Sequence, residues 1–166
     1  MGALSDYIGK PAFESALLHV VDEKVSGTSG GTAPSSSTFF NRQLNTVRQN
    51  QIAGATLSAN VITLPAGRYF ISASAPALSS LPHKIRIFNA TAASVIFSGT
   101  SEFAASSYQG QTRSFASGVA SLAVPTDILV QHFFNRGLDS GNLGQSTASG
   151  EPEVYTDLKI WRLGDI

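Results

Sequence analysis

Cysteine is absent from the 166 residues, which excludes disulfides and thiol chemistry and leaves stability to packing or association. Charge is scarce. Asp, Glu, Lys and Arg make up 13% of the chain, about half the usual share, and 11 basic residues balance 11 acidic ones. That balance excludes a general binder of nucleic acid or of an anionic membrane, which carries a basic excess. No run approaches the ~20 apolar residues of a membrane-spanning helix, so no membrane insertion is expected. The opening "MGALSDYIGKPAFESALLHVV" has no basic stretch leading into an apolar core, so no signal peptide is expected. Asp6 stands where a myristoylation start carries Ser or Thr.

Catalytic signatures are missing too. There is no GxxxxGK[ST] and no GxSxG. His19, His83 and His132 lie in or beside separate predicted strands, and no pair has metal-ligand spacing, so they read as structural residues. "GLDSGNLG" (137–144) is oxygen-rich but lacks EF-hand spacing, and reads as a turn-rich loop. Glycoside hydrolysis needs two facing carboxylates. The acids here are scattered, and Glu151 and Glu153 sit at a strand entry where charge is expected to be solvated. Asn89-Ala90-Thr91 matches a glycosylation triplet by pattern alone. The expectation is a non-enzymatic protein with no cofactor and no metal.

What the chain has is short alternating runs between Gly, Ser and Pro clusters. "ALLHVVDEKV" predicts a strand with Leu18, Val20 and Asp22 on one face and Leu17, His19 and Val21 on the other. "TFFNRQLNTV" predicts one strand, and Val61 to Leu64 another. In "LPAGRYFISASAPA" a turn at Gly67 feeds a strand with Tyr69, Ile71, Ala73 and Ala75 on one face and Phe70, Ser72 and Ser74 on the other. "HKIRIFNA", "ASVIFSGT", "TRSFASGVASLAV" and "PTDILVQHFFN" add strands. In "VYTDLKIWRL", Val154, Thr156, Leu158 and Ile160 alternate against Tyr155, Asp157, Lys159 and Trp161. Two long loops, Ser26 to Thr38 and Arg136 to Glu153, exceed the usual connection length. About eight to ten strands at even spacing, without amphipathic helices, predict an all-β jelly-roll β-sandwich. It spans 16–166, after a distinct segment 1–15 in which Leu4, Tyr7 and Ile8 form a candidate anchoring arm.

In order along the chain, "ALLHVVDEKVSGTSGGT", "RQLNTV", "ITLPAGRYFISASAPA", "HKIRIFN", "GTSEF", "QTRSFASG" and "EVYTDLKIWRL" resemble a family of tailed-bacteriophage virion proteins. The resemblance covers Ala16 to Leu163 and is similar to the jelly roll of tumour necrosis factor and of the globular head of complement's first component. It implies a homotrimer on a virion surface, as a capsid decoration or head fibre or as a tail-fibre component. The family's fibres usually carry a long upstream shaft. Here about fifteen residues precede the domain, which is expected to be a short knob. Other virion proteins would be met through the arm. Ser72, Ala73, Ser74, Ala75 and Trp161 are candidate trimer or inter-sheet contacts. Tyr108, Arg136 and Asn142 are candidate ligand-loop residues for a host-surface glycan. The alternatives are a receptor-binding tail-tip adhesin, a cellular carbohydrate-binding module and, with two acids in catalytic roles, a depolymerase.

Overall fold

The computed structural model describes residues 16–107, 109–136 and 140–166. The arm residues Leu4, Tyr7 and Ile8, and Tyr108, lie outside the described residues. The described residues form twelve strands: β1 Leu17–Lys24, β2 Phe39–Asn41, β3 Thr46–Asn50, β4 Thr56–Ser58, β5 Val61–Leu64, β6 Gly67–Leu78, β7 Leu81–Asn89, β8 Ser94–Ser98, β9 Glu102–Ala104, β10 Gln111–Leu122, β11 Thr126–Phe134 and β12 Glu153–Gly164. They form two antiparallel sheets, ordered β10-β6-β12-β1-β3 and β4-β5-β11-β7-β8, with β2 added to β11 and β9 to β7.

The alternation read from the sequence generates the core. Tyr69, Ile71, Ala73 and Ala75 of β6 meet Ile85 and Ile87 of β7, Ile128 and Val130 of β11, and Leu158 and Ile160 of β12 in one buried cluster. The glycine turn ahead of β6 is closed by Tyr69, whose hydroxyl donates to Pro65 O at 2.8 Å. The small residues of β6 sit where the sheets close on each other. Ala73 pairs with Ala116, and Ala75 with Ser114. The Ser114 hydroxyl crosses to the facing sheet, accepting from Ile85 N (3.0 Å) and donating to Thr100 O (2.7 Å). Thr100 N bonds Phe115 O at 2.7 Å. Backbone therefore meets backbone across the sandwich. A Cβ on Gly99 would lie 2.6 Å from Phe115 O, so larger side chains here would hold the sheets apart.

Three sequence expectations need correction. "TFFNRQLNTV" is two strands in different sheets. β2 pairs with β11, β3 pairs with β1, and the chain crosses between the sheets at Arg42 and Leu44, both buried. Asn45 fixes the new direction, its Oδ1 accepting from Glu23 N at 2.9 Å. Second, the register of β1 against β12 shifts between Val21 and Glu23, and Tyr155 and Thr156 together lie between those paired positions. The extra residue turns Tyr155 inward and leaves Val154 half-buried, breaking the predicted alternation. Third, Glu153 is not solvated but 5% exposed.

Candidate functional site

Two regions combine uncommon chemistry with access to solvent. The first is the outward face of the five-stranded sheet. The registers align Val119, Phe70, Trp161 and Leu17 in one row across β10, β6, β12 and β1. The Phe70 and Trp161 rings are 5.7 Å apart. The next row is Ser117, Ser72, Lys159 and His19, and beyond it lie Phe115, Ser74 and Asp157. Phe115 and Val119 are each 55% exposed. In the middle of this face, Asp157 is held between His19 Nε2 (2.8 Å) and Lys159 Nζ. Burial pushes its carboxyl pKa up, but the hydrogen bonds and charges of Lys159 and His19 outweigh that and hold it below the ordinary value.

Of the predicted contact residues, Ser72 and Ser74 lie on this face, whereas Ala73 and Ala75 lie in the core between the sheets. Trp161 stands opposite Phe70, one row away from Ser72.

The second region is a cavity of about 350 Å³ at one end of the sandwich, lined by Leu78, Ser79, Ser106, Gln109, Arg136, Ser140, Asn142 and Gln145. It brings together two of the predicted ligand-loop residues, Arg136 and Asn142. The third, Tyr108, lies outside the described residues. Leu78 and Asn142 are buried and form the floor, and Arg136, Gln109, Ser106, Ser140 and Gln145 are exposed at the rim. The backbone of the cavity is tied from several sides. Leu78 N donates to Asn142 O (2.9 Å), Ser79 N to Gly110 O (3.0 Å), Gln145 N to Gln111 Oε1 (2.7 Å), and Ala33 N to Asn142 Oδ1 (2.7 Å).

Behind the cavity lies a buried polar interior that local sequence spacing did not reveal. Arg42 is 1% exposed, and its guanidinium donates to Thr156 Oγ1 (3.0 Å), Leu143 O (2.9 Å) and Pro76 O (3.5 Å). Burial brings its pKa down to about 10, partly offset by Asp22. Burial also raises the pKa of Asp22. Glu153 holds the two long loops together, accepting from the backbone N–H groups of Gly27, Thr147 and Ala148 at 2.8–3.1 Å. The N–H of Thr147, then those of Gly27 and Ala148, keep its carboxyl pKa low. His83 and His132, 49 residues apart, meet with Nδ1 and Nε2 at 3.0 Å, and His83 Nε2 lies 2.8 Å from Thr112 Oγ1. Among the described residues, no group of three or more His, Asp or Glu converges as a metal centre.

The two ends of the sandwich differ. Arg162 N donates to Ala16 O at 3.0 Å, so the chain enters β1 beside the end of β12. β6 starts at that same end, with Arg68 opposite Gly164, and runs 12 residues to Leu78 in the cavity floor. Ala16, beside Arg162, is level with Tyr69, so at ~3.3 Å per residue roughly 30 Å separate the entry of β1 from the cavity.

This strand order and the two opposed sheets can be compared with solved structures. The globular domain of zebrafish complement 1qA protein matches with a TM-score of 0.59 at 12% identity, over 92% of this chain and 100% of that one. Murine APRIL at pH 5.0 matches with a TM-score of 0.59 at 12% identity, over 90% of this chain and 100% of that one. The fold is the jelly roll of tumour necrosis factor and of complement globular heads. At such identity the likeness extends to this jelly-roll fold alone. No family model matches the sequence, and no curated protein does.

Proposed function

We propose that the chain is a non-enzymatic, homotrimeric surface knob of a tailed-phage virion, either a capsid decoration or head fibre or a tail-fibre component. The observation that carries self-association is the outward face of the five-stranded sheet. It presents Phe70, Phe115, Val119 and Trp161 over several strands, interleaved with the small Ser72, Ser74 and Ser117 that let a second backbone approach. An exposed apolar face of this kind is a sign of a protein interface. Domains like those of tumour necrosis factor and complement heads form homotrimers, which supports a closed three-fold assembly here. The virion assignment rests on the ordered sequence blocks that resemble phage virion proteins. The position of the cavity, at the end remote from the entry of β1, favours host contact as part of the role. Residues 1–15 would hold the particle and the loops would face outward.

Two measurements test this reading. Sedimentation of the full chain is expected to give three times the 17.4 kDa of one chain. The pair Phe115→Lys and Val119→Asp, at exposed positions with little effect on folding, is expected to reduce it to one. A wild-type monomer at micromolar concentration would refute the self-association. Gold-labelled electron microscopy of particles from the source, with an antibody to this chain, tests the location. Label over the capsid assigns a decoration, label at the tail assigns a fibre component, and unlabelled particles overturn the virion role.

A further inference from the structure

The lining of the cavity restricts what could occupy it. Seven of the eight described residues lining it are polar, and among them Leu78 supplies the apolar wall. Such a surface has little to offer a lipid chain. Arg136 is the one cation among the described lining residues, too little charge to follow a nucleic-acid backbone. The described lining residues include no carboxylate, so they do not suit a divalent cation. With the buried Asn142 shaping the floor, its Oδ1 held by Ala33 N, what they do provide is hydroxyl and carboxamide groups, from Ser79, Ser106, Ser140, Gln109 and Gln145. Each donates as well as accepts hydrogen bonds, which is the requirement for vicinal hydroxyls. Among the described residues Arg136 makes no ion pair, so its planar fork of donors can serve a ligand carboxylate. The volume, about 350 Å³, falls at the small end of ligand sites.

The backbone supports the same conclusion. Ser79 and Gln109 both hold left-handed conformations, at φ 53° and 50°, and Leu81 does so at 59°. Of these, Ser79 and Gln109 line the cavity and Leu81 lies two residues beyond Ser79. Left-handed backbone in non-glycine residues carries strain, and strain of this kind gathers at ligand sites when the surroundings enforce it. Here the hydrogen bonds from Ser79 N to Gly110 O and from Arg136 N to Ser80 O do so. The backbone at Ser79 and Arg136 is therefore held in place, which lowers the ordering cost of binding there.

We infer that this cavity binds an acidic sugar, with the carboxylate on Arg136 and the ring hydroxyls on the surrounding Ser and Gln side chains. The inference concerns one chain and stands whether or not the trimer or the virion assignment holds.

The full chain is titrated with sodium glucuronate, with glucose, which shares the ring, and with sodium acetate, which shares the carboxylate, and followed by backbone amide NMR shifts. Glucuronate is expected to bind at least tenfold more tightly than either, with shifts centred on Leu78, Ser79 and Asn142. Arg136→Gln is expected to remove the preference over glucose, and Gln145→Ala to weaken both sugars. Arg136 is exposed, and an unchanged amide spectrum outside the cavity verifies that the variant folds. Equal binding of glucose, equal binding of acetate, shifts elsewhere in the molecule, no saturable shift with glucuronate, or full retention of the preference in Arg136→Gln would each overturn the assignment.

Discussion

Arg42→Ala is expected to lower the stability of the folded chain by about 3–5 kcal/mol, as when one partner of a buried charged network is removed. The guanidinium is fully enclosed where the chain crosses from one sheet to the other. It satisfies Thr156 Oγ1 from β12, Pro76 O from β6 and Leu143 O from the long loop. Truncation leaves these acceptors in a buried interior without their donor, and each unsatisfied buried group costs about 1–3 kcal/mol. It also removes one of the two positive charges, after Lys24, that counter the rise burial imposes on the pKa of Asp22, whose Oδ2 has no hydrogen-bond partner. Arg42→Lys is not a conservative rescue, because a point charge on a flexible stem cannot span three acceptors. Urea unfolding at fixed chain concentration measures the effect. A loss under 1 kcal/mol would mean that the network is not a stability element. Because Asp22 and Arg42 feel each other electrostatically, Arg42→Ala combined with Asp22→Ala should cost less than the sum of the single changes.

Acid is expected to destabilise the fold through His83 and His132. Burial lowers the pKa of His83 to about 4, with the charge of Glu102 working the other way and that of Arg42 adding to the effect. Burial, then Arg42 and His83, lowers that of His132 well below the ordinary value. Both rings are therefore neutral in the folded state at neutral pH. In the unfolded chain each takes a proton near pH 6.5. As pH falls below 6.5 the unfolded state binds protons that the folded state refuses, so stability declines. The decline from His83 ends near pH 4, where the folded ring is itself protonated, and amounts to roughly 3 kcal/mol in all. His132 adds a loss of the same sign. Unfolding measured at pH 7 and at pH 4.5 should show this drop in the wild type and much less of it in the double variant His83→Gln, His132→Phe. If both proteins lose the same amount, carboxylates such as Asp157 and Glu153 carry the acid response instead.

The core strands were legible in the sequence because a period of two survives wherever one face is buried and the other is wet. β6 and β7 show this clearly. Tyr69, Ile71, Ala73, Ile85 and Ile87 all fall on the inner side. What local periodicity cannot show is a strand leaving one sheet for the other. Between Phe40 and Leu44 the alternation of inward and outward residues continues unbroken through Arg42, while the hydrogen-bonding partner changes from β11 to β1. Nor does a bulge announce itself, since the inward turn of Tyr155 depends on its hydroxyl reaching Thr28 O at 2.6 Å, 127 residues away in the chain. The histidine pair was hidden for the same reason. His83 pairs with Phe134 and His132 with Ile85, so the two rings are diagonal neighbours on adjoining strands and share no local spacing. Arg136 and Asn142 could be singled out as loop residues. Their convergence on one cavity, with Leu78, Gln109 and Gln145 beside them, required the fold.

The separation of the two ends also has a mechanical consequence. A load applied between Ala16 and the rim of the cavity runs along the strands, from β1 through β12 and β6. The ladder hydrogen bonds of antiparallel strands lie across that direction. β1 is paired on both sides, to β12 and to β3, so pulling it out would shear two ladders at once rather than open them bond by bond. A knob held at its entry strand and gripping a surface at its far end would thus be loaded along its most resistant axis.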